Sequence, residues 1–208
     1  MVRLKDYGLV ALIGACFALF SVPIFSNIQT RVEFSLPLVL GLMVGASLFA
    51  VVALWVASLI AKRIPVILQV AKFSAVGAFN TFLDWGILNI LIAAFSIATG
   101  AWFSVFKGVS FIVANAGSYF WNKYWTFQSQ ERASAREFGK FFSVSVIGAV
   151  LNVGVASAIV AWVHAFGQVN PIQWANVAAV VATVISLVWN FVGYKFLVFT
   201  SKSRKLFL

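Results

Sequence analysis

The sequence predicts an all-α fold, a polytopic membrane helix bundle with six transmembrane helices. Three observations predict it: 62% of the residues are hydrophobic, 10% are charged, and the mean hydropathy is +1.01. A soluble domain carries about 25% charged residues, so the composition excludes an ordinary soluble domain. The net charge of +10 comes from short loops between apolar runs, which favours anionic membrane lipids over nucleic acid as the partner.

Six apolar runs are long enough to cross a bilayer, because a transmembrane helix needs about 20 predominantly apolar residues. They cover residues 7–25, 36–61, 73–95, 102–121, 141–166 and 174–199. The first run follows Arg3 and Lys5 and could instead be a signal peptide. It is long for that role and no A-x-A-like cleavage site follows, so we interpret it as a membrane span.

Basic residues predict the orientation of the six spans. One side of the membrane would receive the N-terminus, the second–third loop, the fourth–fifth region and the C-terminal end. These hold Arg3, Lys5, Lys62, Arg63, Lys72, Lys123, Arg132, Arg136, Lys140, Lys195, Lys202, Arg204 and Lys205. The other side has Arg31, and Lys107 lies within a span. Since Lys and Arg accumulate on the cytoplasmic side, both termini are predicted to be cytoplasmic, in the cell membrane.

Two parts of the chain resemble each other. The first begins "KFSAVGAFN" at Lys72 and ends "SYFWNKYWTF" at Phe127; the second begins "KFFSVSVIGAVLN" at Lys140 and ends "NFVGYKFLVF" at Phe199. Each opens with Lys-Phe, reaches a Gly-Ala pair and an Asn, and closes with a Lys, aromatic residues and Phe. Since each part holds two spans, the pattern predicts a four-helix core made of two repeated hairpins.

The segments "KFSAVGAFNTFLDWGI", "FKGVSFIVANAGSYFWNKYWTF" and "WNFVGYKFLVF" resemble the GtrA-like family of small four-span membrane proteins associated with polyprenyl-phosphate-linked sugars. The predicted domains follow: residues 1–65 form a two-span extension, residues 66–200 the GtrA-like four-span domain, and residues 201–208 a basic cytoplasmic tail. The resemblance implies translocation of a polyprenyl-phosphate-linked sugar across the cytoplasmic membrane, for glycosylation of a surface polysaccharide or cell-wall polymer. It implies a separate membrane glycosyltransferase as a partner.

Two ionisable residues within spans are the strongest site candidates, because the bilayer centre penalises a charge by roughly 2.5–3.5 kcal/mol on insertion scales. Asp84 lies about halfway along the third span, and Lys107 lies near the same depth in the fourth. The two spans are antiparallel neighbours, so the residues are expected to pair. Either a headgroup site or a purely structural ion pair is compatible with this pattern.

Each of the four core spans also presents a small or polar face at helical spacing. These faces are expected to line a groove at the repeat interface. The candidate binding residues on them are Asn80, Asn115, Ser118, Asn152 and Asn190. Packing and hydrogen bonding between helices is the alternative role for such residues.

Lysines at the cytoplasmic rim could collect the lipid phosphate, because anionic headgroups gain about 1 kcal/mol per nearby basic residue. They are Lys72, Lys123, Lys140 and Lys195. Of these, Lys123 and Lys195 align between the two repeats and are predicted to contact the substrate. For each lysine alone, the ordinary positive-inside pattern is an alternative explanation.

Other chemistry is not indicated by the sequence. We find no His/Glu cluster for a metal, no paired carboxylates for glycoside chemistry and no glycine-rich phosphate loop, and we predict neither an enzyme nor a cofactor. Two alternatives to a translocase remain: a non-transporting anchor or scaffold for a polyprenyl-phosphate glycosyltransferase, and a small multidrug-type exporter. Gly41 and Gly45 form a G-x-x-x-G pattern, which leaves open a homodimer or a contact within the chain.

Overall fold

The computed structural model describes residues 2–27, 33–163 and 171–200, and these residues form six α-helices. They are α1 (Leu4–Asn27), α2 (Leu36–Ile60), α3 (Val66–Phe95), α4 (Gly100–Trp121), α5 (Ala135–Trp162) and α6 (Pro171–Gly193). The described residues contain no strand, so the predicted all-α class with six helices is confirmed. Arg31, the end of the fifth predicted span and the basic tail lie outside the described residues.

Five of the described helices are long and apolar enough to cross a membrane. The exception is α4, which carries Lys107, Asn115 and two further polar side chains, Ser110 and Ser118, that are buried. The 22 residues of α4 are long enough to cross a bilayer, so its polar composition is what keeps it from being marked as a span. The multi-pass character of the protein follows from the other five.

Residues Met1–Gln128 form one compact unit, which contains α1 to α4. In it α1 packs on both α2 and α3, and α3 packs on α4. Gly14 permits the first of these contacts, because a Cβ atom there would lie 2.5 Å from the Ala46 carbonyl oxygen. The Ser47 hydroxyl donates to the Ala11 carbonyl at 2.8 Å and joins the same two helices. The N-terminal hairpin is thus closely packed against α3.

A buried ion pair joins the start of α1 to the start of the first repeat. Lys72 Nζ lies 2.7 Å from Asp6 Oδ1, and both side chains are at most 2% exposed. The Trp125 indole donates to the same carboxylate oxygen at 3.0 Å, and the Arg3 backbone N–H donates to Oδ2 at 2.8 Å. Contrary to expectation, Lys72 is therefore not free to collect phosphate, because its charge is already neutralised by the buried Asp6 carboxylate.

The same contacts explain why α3 begins before its predicted start. The apolar run begins at Phe73, but the helix begins at Val66. Gln69 Nε2 donates to the Thr126 carbonyl at 3.5 Å, and Lys72 pairs with Asp6. Gln69 and Lys72 interrupt the apolar pattern, but each has a polar partner that is distant in sequence. Such partners cannot be predicted from the neighbouring residues of the chain alone.

Residues Ser129–Leu208 form the second compact unit, in which α5 packs on α6. The Ser134 hydroxyl caps α5 by accepting from the Glu137 N–H at 3.2 Å, with an acidic residue placed favourably in the first turn. Along the hairpin, the Trp189 indole donates to the Val144 carbonyl at 3.1 Å. The Ser145 and Tyr194 hydroxyls lie 2.7 Å apart, so polar contacts join both helices.

Both repeats end in the same way. A π-helical turn follows α4 at Asn122–Thr126, the first π turn, and another follows α6 at Tyr194–Val198, the second π turn. Each turn is closed by a 2.8 Å backbone hydrogen bond from the following Phe, Phe127 or Phe199. The Phe that follows each opening lysine, Phe73 or Phe141, packs against this closing Phe with ring centroids 6.4 and 6.1 Å apart. The predicted pair of repeated hairpins is thus visible in the structure.

Candidate functional site

An ion pair between α3 and α4 forms the centre of the candidate site. Lys107 Nζ donates to Asp84 Oδ2. The two residues meet because only residues 96–99 separate the helices, and Ser96 ends α3 in the left-handed conformation at φ 54°. The structure therefore brings together the two ionisable residues that the sequence places within spans.

Ser110 completes the site, and the sequence analysis missed it. Its hydroxyl donates to Asp84 Oδ1 at 2.6 Å, and the residue is fully buried. Each oxygen of the carboxylate consequently has one donor, Lys107 on one side and Ser110 on the other. The signal that could have found Ser110 is its spacing, since residues three apart lie on the same side of a helix.

The two members of the ion pair differ in accessibility. The side chain of Asp84 is 15% exposed, whereas that of Lys107 is 40% exposed. A charge in a membrane span is tolerated when it is paired, and here the pairing leaves the cation more open than the anion. An anionic group can therefore approach Lys107 without first displacing a buried side chain.

The remaining polar candidates of the first repeat are held in different ways. Asn80 lies one turn before Asp84, and its buried Oδ1 atom has no hydrogen-bond partner among the described residues. Asn115 donates to the Phe111 carbonyl at 3.2 Å, and the Ser118 hydroxyl accepts from Asn122 at 3.2 Å. Asn115 and Ser118 thus form hydrogen bonds along their own helical segment, as polar side chains within helices often do.

The two asparagines of the second repeat differ: Asn152 has hydrogen-bond partners, whereas the buried Asn190 Oδ1 atom has none among the described residues. Asn152 Nδ2 lies 3.3 Å from both the Thr183 and the Ser186 hydroxyl oxygens. Asn190 lies over Gly148, where a Cβ atom would come within 2.3 Å of its amide oxygen. These contacts join α5 to α6, so a packing role accounts for Asn152 without any ligand.

The two aligned lysines occupy the same position in their π turns. Lys123 is fully buried, with its Nζ atom 5.8 Å from the Tyr124 ring centroid. Lys195 is partly exposed and lies 5.4 Å from the Phe191 ring and 5.7 Å from the Phe196 ring. Both cations are therefore placed over aromatic faces, at the end of the helix that closes each hairpin.

The charged centre has no counterpart in the second repeat. In the register that matches Asn80 with Asn152 and Lys123 with Lys195, its three members correspond to alanines. Asp84 matches Ala156, Lys107 matches Ala179, and Ser110 matches Ala182. The charged centre is thus restricted to the first repeat, in the sequence register as well as in the contacts.

A cavity of about 390 Å³ lies away from this centre, between α1, α2 and α3. Apolar residues line it apart from Ser74, and neither Asp84 nor Lys107 is among them. Such a lining suits a hydrocarbon chain and offers nothing to a charged or hydroxylated headgroup. The predicted groove shared by four helices stays a prediction, since α3 and α4 belong to one unit and α5 and α6 to the other.

Comparison with known proteins identifies the family. The model of the GtrA/DPMS transmembrane domain matches residues 72–199, which begin at the opening lysine of the first repeat and end at the closing Phe of the second. The comparisons with curated proteins and with solved structures each found no match. The matched segment covers more than half of the chain and both repeated hairpins, and the protein therefore belongs to the GtrA/DPMS transmembrane domain family.

Proposed function

We propose that the protein moves a polyprenyl-phosphate-linked sugar between the two leaflets of the cytoplasmic membrane, for glycosylation of a surface polysaccharide or cell-wall polymer. The family supports a role in the handling of lipid-linked sugars. The observation that carries the proposal is the Asp84–Lys107–Ser110 centre, a paired charge between two helices of the transmembrane domain. The polyprenyl chain stays in the hydrocarbon, while the phosphate and sugar require polar contacts to cross.

Lys107 is the group proposed to meet the phosphate. It is the more exposed member of the ion pair, and a compact ammonium group with three donors suits a phosphate oxygen. When the phosphate takes its place beside Lys107, Asp84 keeps the hydrogen bond from Ser110. Ser110 therefore lowers the free-energy cost of separating Lys107 from Asp84, because the Asp84 carboxylate still accepts one hydrogen bond.

Phosphate capture at the rim is proposed for a smaller set of lysines than the sequence suggested. Lys72 is excluded because it is buried and paired with Asp6. Lys140 is exposed, and Lys195 is partly exposed in the second π turn. Lysines in these positions favour an anionic headgroup, and the cytoplasmic placement of this rim and of both termini rests on the distribution of Lys and Arg.

A multidrug-type exporter is the less favoured reading. Such a protein needs an intramembrane acid that exchanges a proton for a cationic ligand. Here the Asp84 carboxylate is already neutralised by Lys107 and engaged by Ser110. A cationic ligand would have to displace the Lys107 ammonium group from Asp84, so the centre favours anionic over cationic ligands.

Reconstitution in proteoliposomes tests the proposal. We expect the wild type to move a polyprenyl-phosphate sugar across the bilayer, and Lys107→Ala to lower the rate at least tenfold because the phosphate loses its cation. Asp84→Asn keeps the lysine and should be impaired less. Lys62→Ala, which removes an exposed lysine in the turn after α2, is the matched control and should keep the wild-type rate.

The opposite outcome favours the scaffold. If the wild type moves no lipid faster than protein-free liposomes, the protein would act as an anchor for a glycosyltransferase. Co-purification of the two membrane proteins, unaffected by Lys107→Ala, would then be expected.

A further inference from the structure

Two buried polar atoms in the first π turn have no hydrogen-bond partner among the described residues. They are Asn122 Oδ1 and Thr126 Oγ1. The two residues are 1% and 4% exposed, respectively. Buried polar atoms are nearly always paired, so a pair of unsatisfied ones in one five-residue turn requires an explanation. An absent ligand or buried water is the usual one.

The orientation of the Asn122 amide is fixed by its neighbours. Asn122 Nδ2 donates to the Ser118 carbonyl at 2.9 Å and to the Ser118 hydroxyl at 3.2 Å. A carbonyl accepts and never donates, so the amide nitrogen must face Ser118 and the amide oxygen must face the unsatisfied side. The unsatisfied atom of Asn122, Oδ1, is therefore a hydrogen-bond acceptor.

This chemistry discriminates between the parts of a lipid-linked sugar. An ionised phosphate has only acceptor oxygens and cannot pair with Asn122 Oδ1. A carbohydrate hydroxyl donates and accepts, and so it can satisfy both Asn122 Oδ1 and the Thr126 hydroxyl. The first π turn is thus suited to a sugar, whereas Lys107 is suited to a phosphate.

The second π turn shows that the unsatisfied atoms are not required by the backbone. In the same register Asn122 corresponds to Tyr194 and Thr126 to Val198. The Tyr194 hydroxyl lies 2.7 Å from Ser145 Oγ and its ring stacks on Phe141, and Val198 is buried with no polar atom to satisfy. The same turn is therefore formed elsewhere in the chain without a buried unsatisfied side-chain atom.

We propose that Asn122 and Thr126 form a binding site for sugar hydroxyls, separate from the phosphate site at Lys107. The inference rests on the proposed function for the identity of the ligand as a lipid-linked sugar. Lys107 on α4 and Asn122 at the start of the first π turn are 15 positions apart, or roughly 22 Å along a helix. The two sites would therefore contact the headgroup at different depths in the membrane. Asn122 Oδ1 and Thr126 Oγ1 are both shielded from solvent, so the sugar site is closed in this structure.

A binding measurement with two lipids tests the site. The full-length protein in nanodiscs is titrated with a polyprenyl-phosphate sugar and with the sugar-free polyprenyl phosphate of the same chain length. Thr126→Val removes the hydroxyl while keeping the shape of the side chain. We expect about a fivefold loss of affinity for the sugar-bearing lipid and less than a twofold change for the sugar-free lipid.

Two further variants keep the result interpretable. Thr126→Ser retains a hydroxyl and should keep the wild-type preference for the sugar. Ser58→Ala removes a hydroxyl that already has a backbone partner, Trp55, and should change neither affinity. Thermal unfolding of Thr126→Val should show equal or higher stability, because an unsatisfied buried group is removed.

Each remaining outcome is decisive. Equal weakening of both lipids, or no change in either, would overturn the sugar site and leave a buried water as the partner of these atoms. This result is independent of transport: a wild type that prefers the sugar but moves no lipid contradicts the translocase alone. A wild type that moves lipid while Thr126→Val keeps the full sugar preference contradicts only the sugar site.

Discussion

The α3–α4 hairpin and the α5–α6 hairpin end alike and differ in between. Both finish in a π turn with a lysine at its second position and a closing Phe that packs on the Phe near the hairpin start. Between these ends, Asp84, Lys107 and Ser110 in the first hairpin correspond to three alanines in the second. The hairpin fold therefore does not need the charges.

This difference separates structure from function within one chain. Features that the two hairpins share, such as the π turn, are explained by packing and backbone hydrogen bonds. Features that only the first hairpin has carry an energetic penalty in a membrane, since charged groups are costly there. The first hairpin is consequently the place to look for the headgroup path.

The two repeats also differ in the surroundings of the lysine at which each begins. Lys72 is neutralised by Asp6 of α1 and covered by Trp125, whereas Lys140 is exposed. The N-terminal hairpin thus contacts the first repeat through an ion pair between Asp6 of α1 and Lys72, the lysine at which that repeat begins. It adds a binding partner to an existing charge and requires no new basic residue.

The largest effect on stability is expected at this attachment. Asp6→Ala leaves Lys72 buried without its counter-ion, and breaking a buried pair in this way costs about 3–5 kcal/mol. We expect the free energy of unfolding in detergent, measured by denaturant titration, to fall by that amount. Because the lysine that opens the second repeat is exposed, Lys140→Ala should change the free energy of unfolding by at most about 0.5 kcal/mol.

The double variant Asp6→Ala/Lys72→Met sharpens this test. Removing both charges leaves no buried ion, so the variant should recover most of the lost stability. Equal losses for Asp6→Ala and Lys140→Ala would contradict the distinction between a buried and an exposed opening lysine.

A smaller effect is expected at the glycine of the Gly-Ala pair that each repeat contains. Gly148→Ala would place a methyl group 2.3 Å from the Asn190 amide oxygen, and overpacking of this kind costs about 1–3 kcal/mol. Gly77, the glycine of the Gly-Ala pair in the first repeat, has open space around an added Cβ, with no atom within 4 Å outside its own helical turn. Gly77→Ala should therefore be neutral or stabilising, because Ala favours a helix over Gly by about 1 kcal/mol.

Thermal unfolding of the two alanine variants in the same detergent checks the second comparison. A loss of stability at Gly77 as large as that at Gly148 would show that the hairpins are packed more alike than their contacts indicate.

The sequence predicted the helices and the ion pair because both leave a local signal. Long apolar runs mark spans, and a charge inside such a run is conspicuous, so Asp84 and Lys107 could be identified and placed at similar depths. The family resemblance was confirmed by the family model, which matches residues 72–199. The division of the chain into residues 1–65, 66–200 and 201–208 stays a prediction.

Contacts distant in sequence could not be predicted in the same way. Asp6 lies 66 positions from Lys72 and 119 from Trp125, and nothing local to Lys72 distinguishes a rim lysine from a buried one. Ser110 has an ordinary side chain for a membrane helix, and only its contact with Asp84 makes it notable. The unsatisfied atoms of Asn122 and Thr126 become visible only once every neighbouring donor and acceptor has been placed.

The most direct test of the central claim converts the first hairpin to the residues of the second. In the triple variant Asp84→Ala/Lys107→Ala/Ser110→Ala no charge is left unpaired, so it should fold with near-wild-type stability in detergent. We expect its transbilayer movement of a polyprenyl-phosphate sugar in proteoliposomes to fall to the rate of protein-free liposomes. A wild-type rate in this variant would show that transport does not need the charged centre and would contradict the proposal, whereas a loss of folded protein would assign the Asp84–Lys107 pair a structural role.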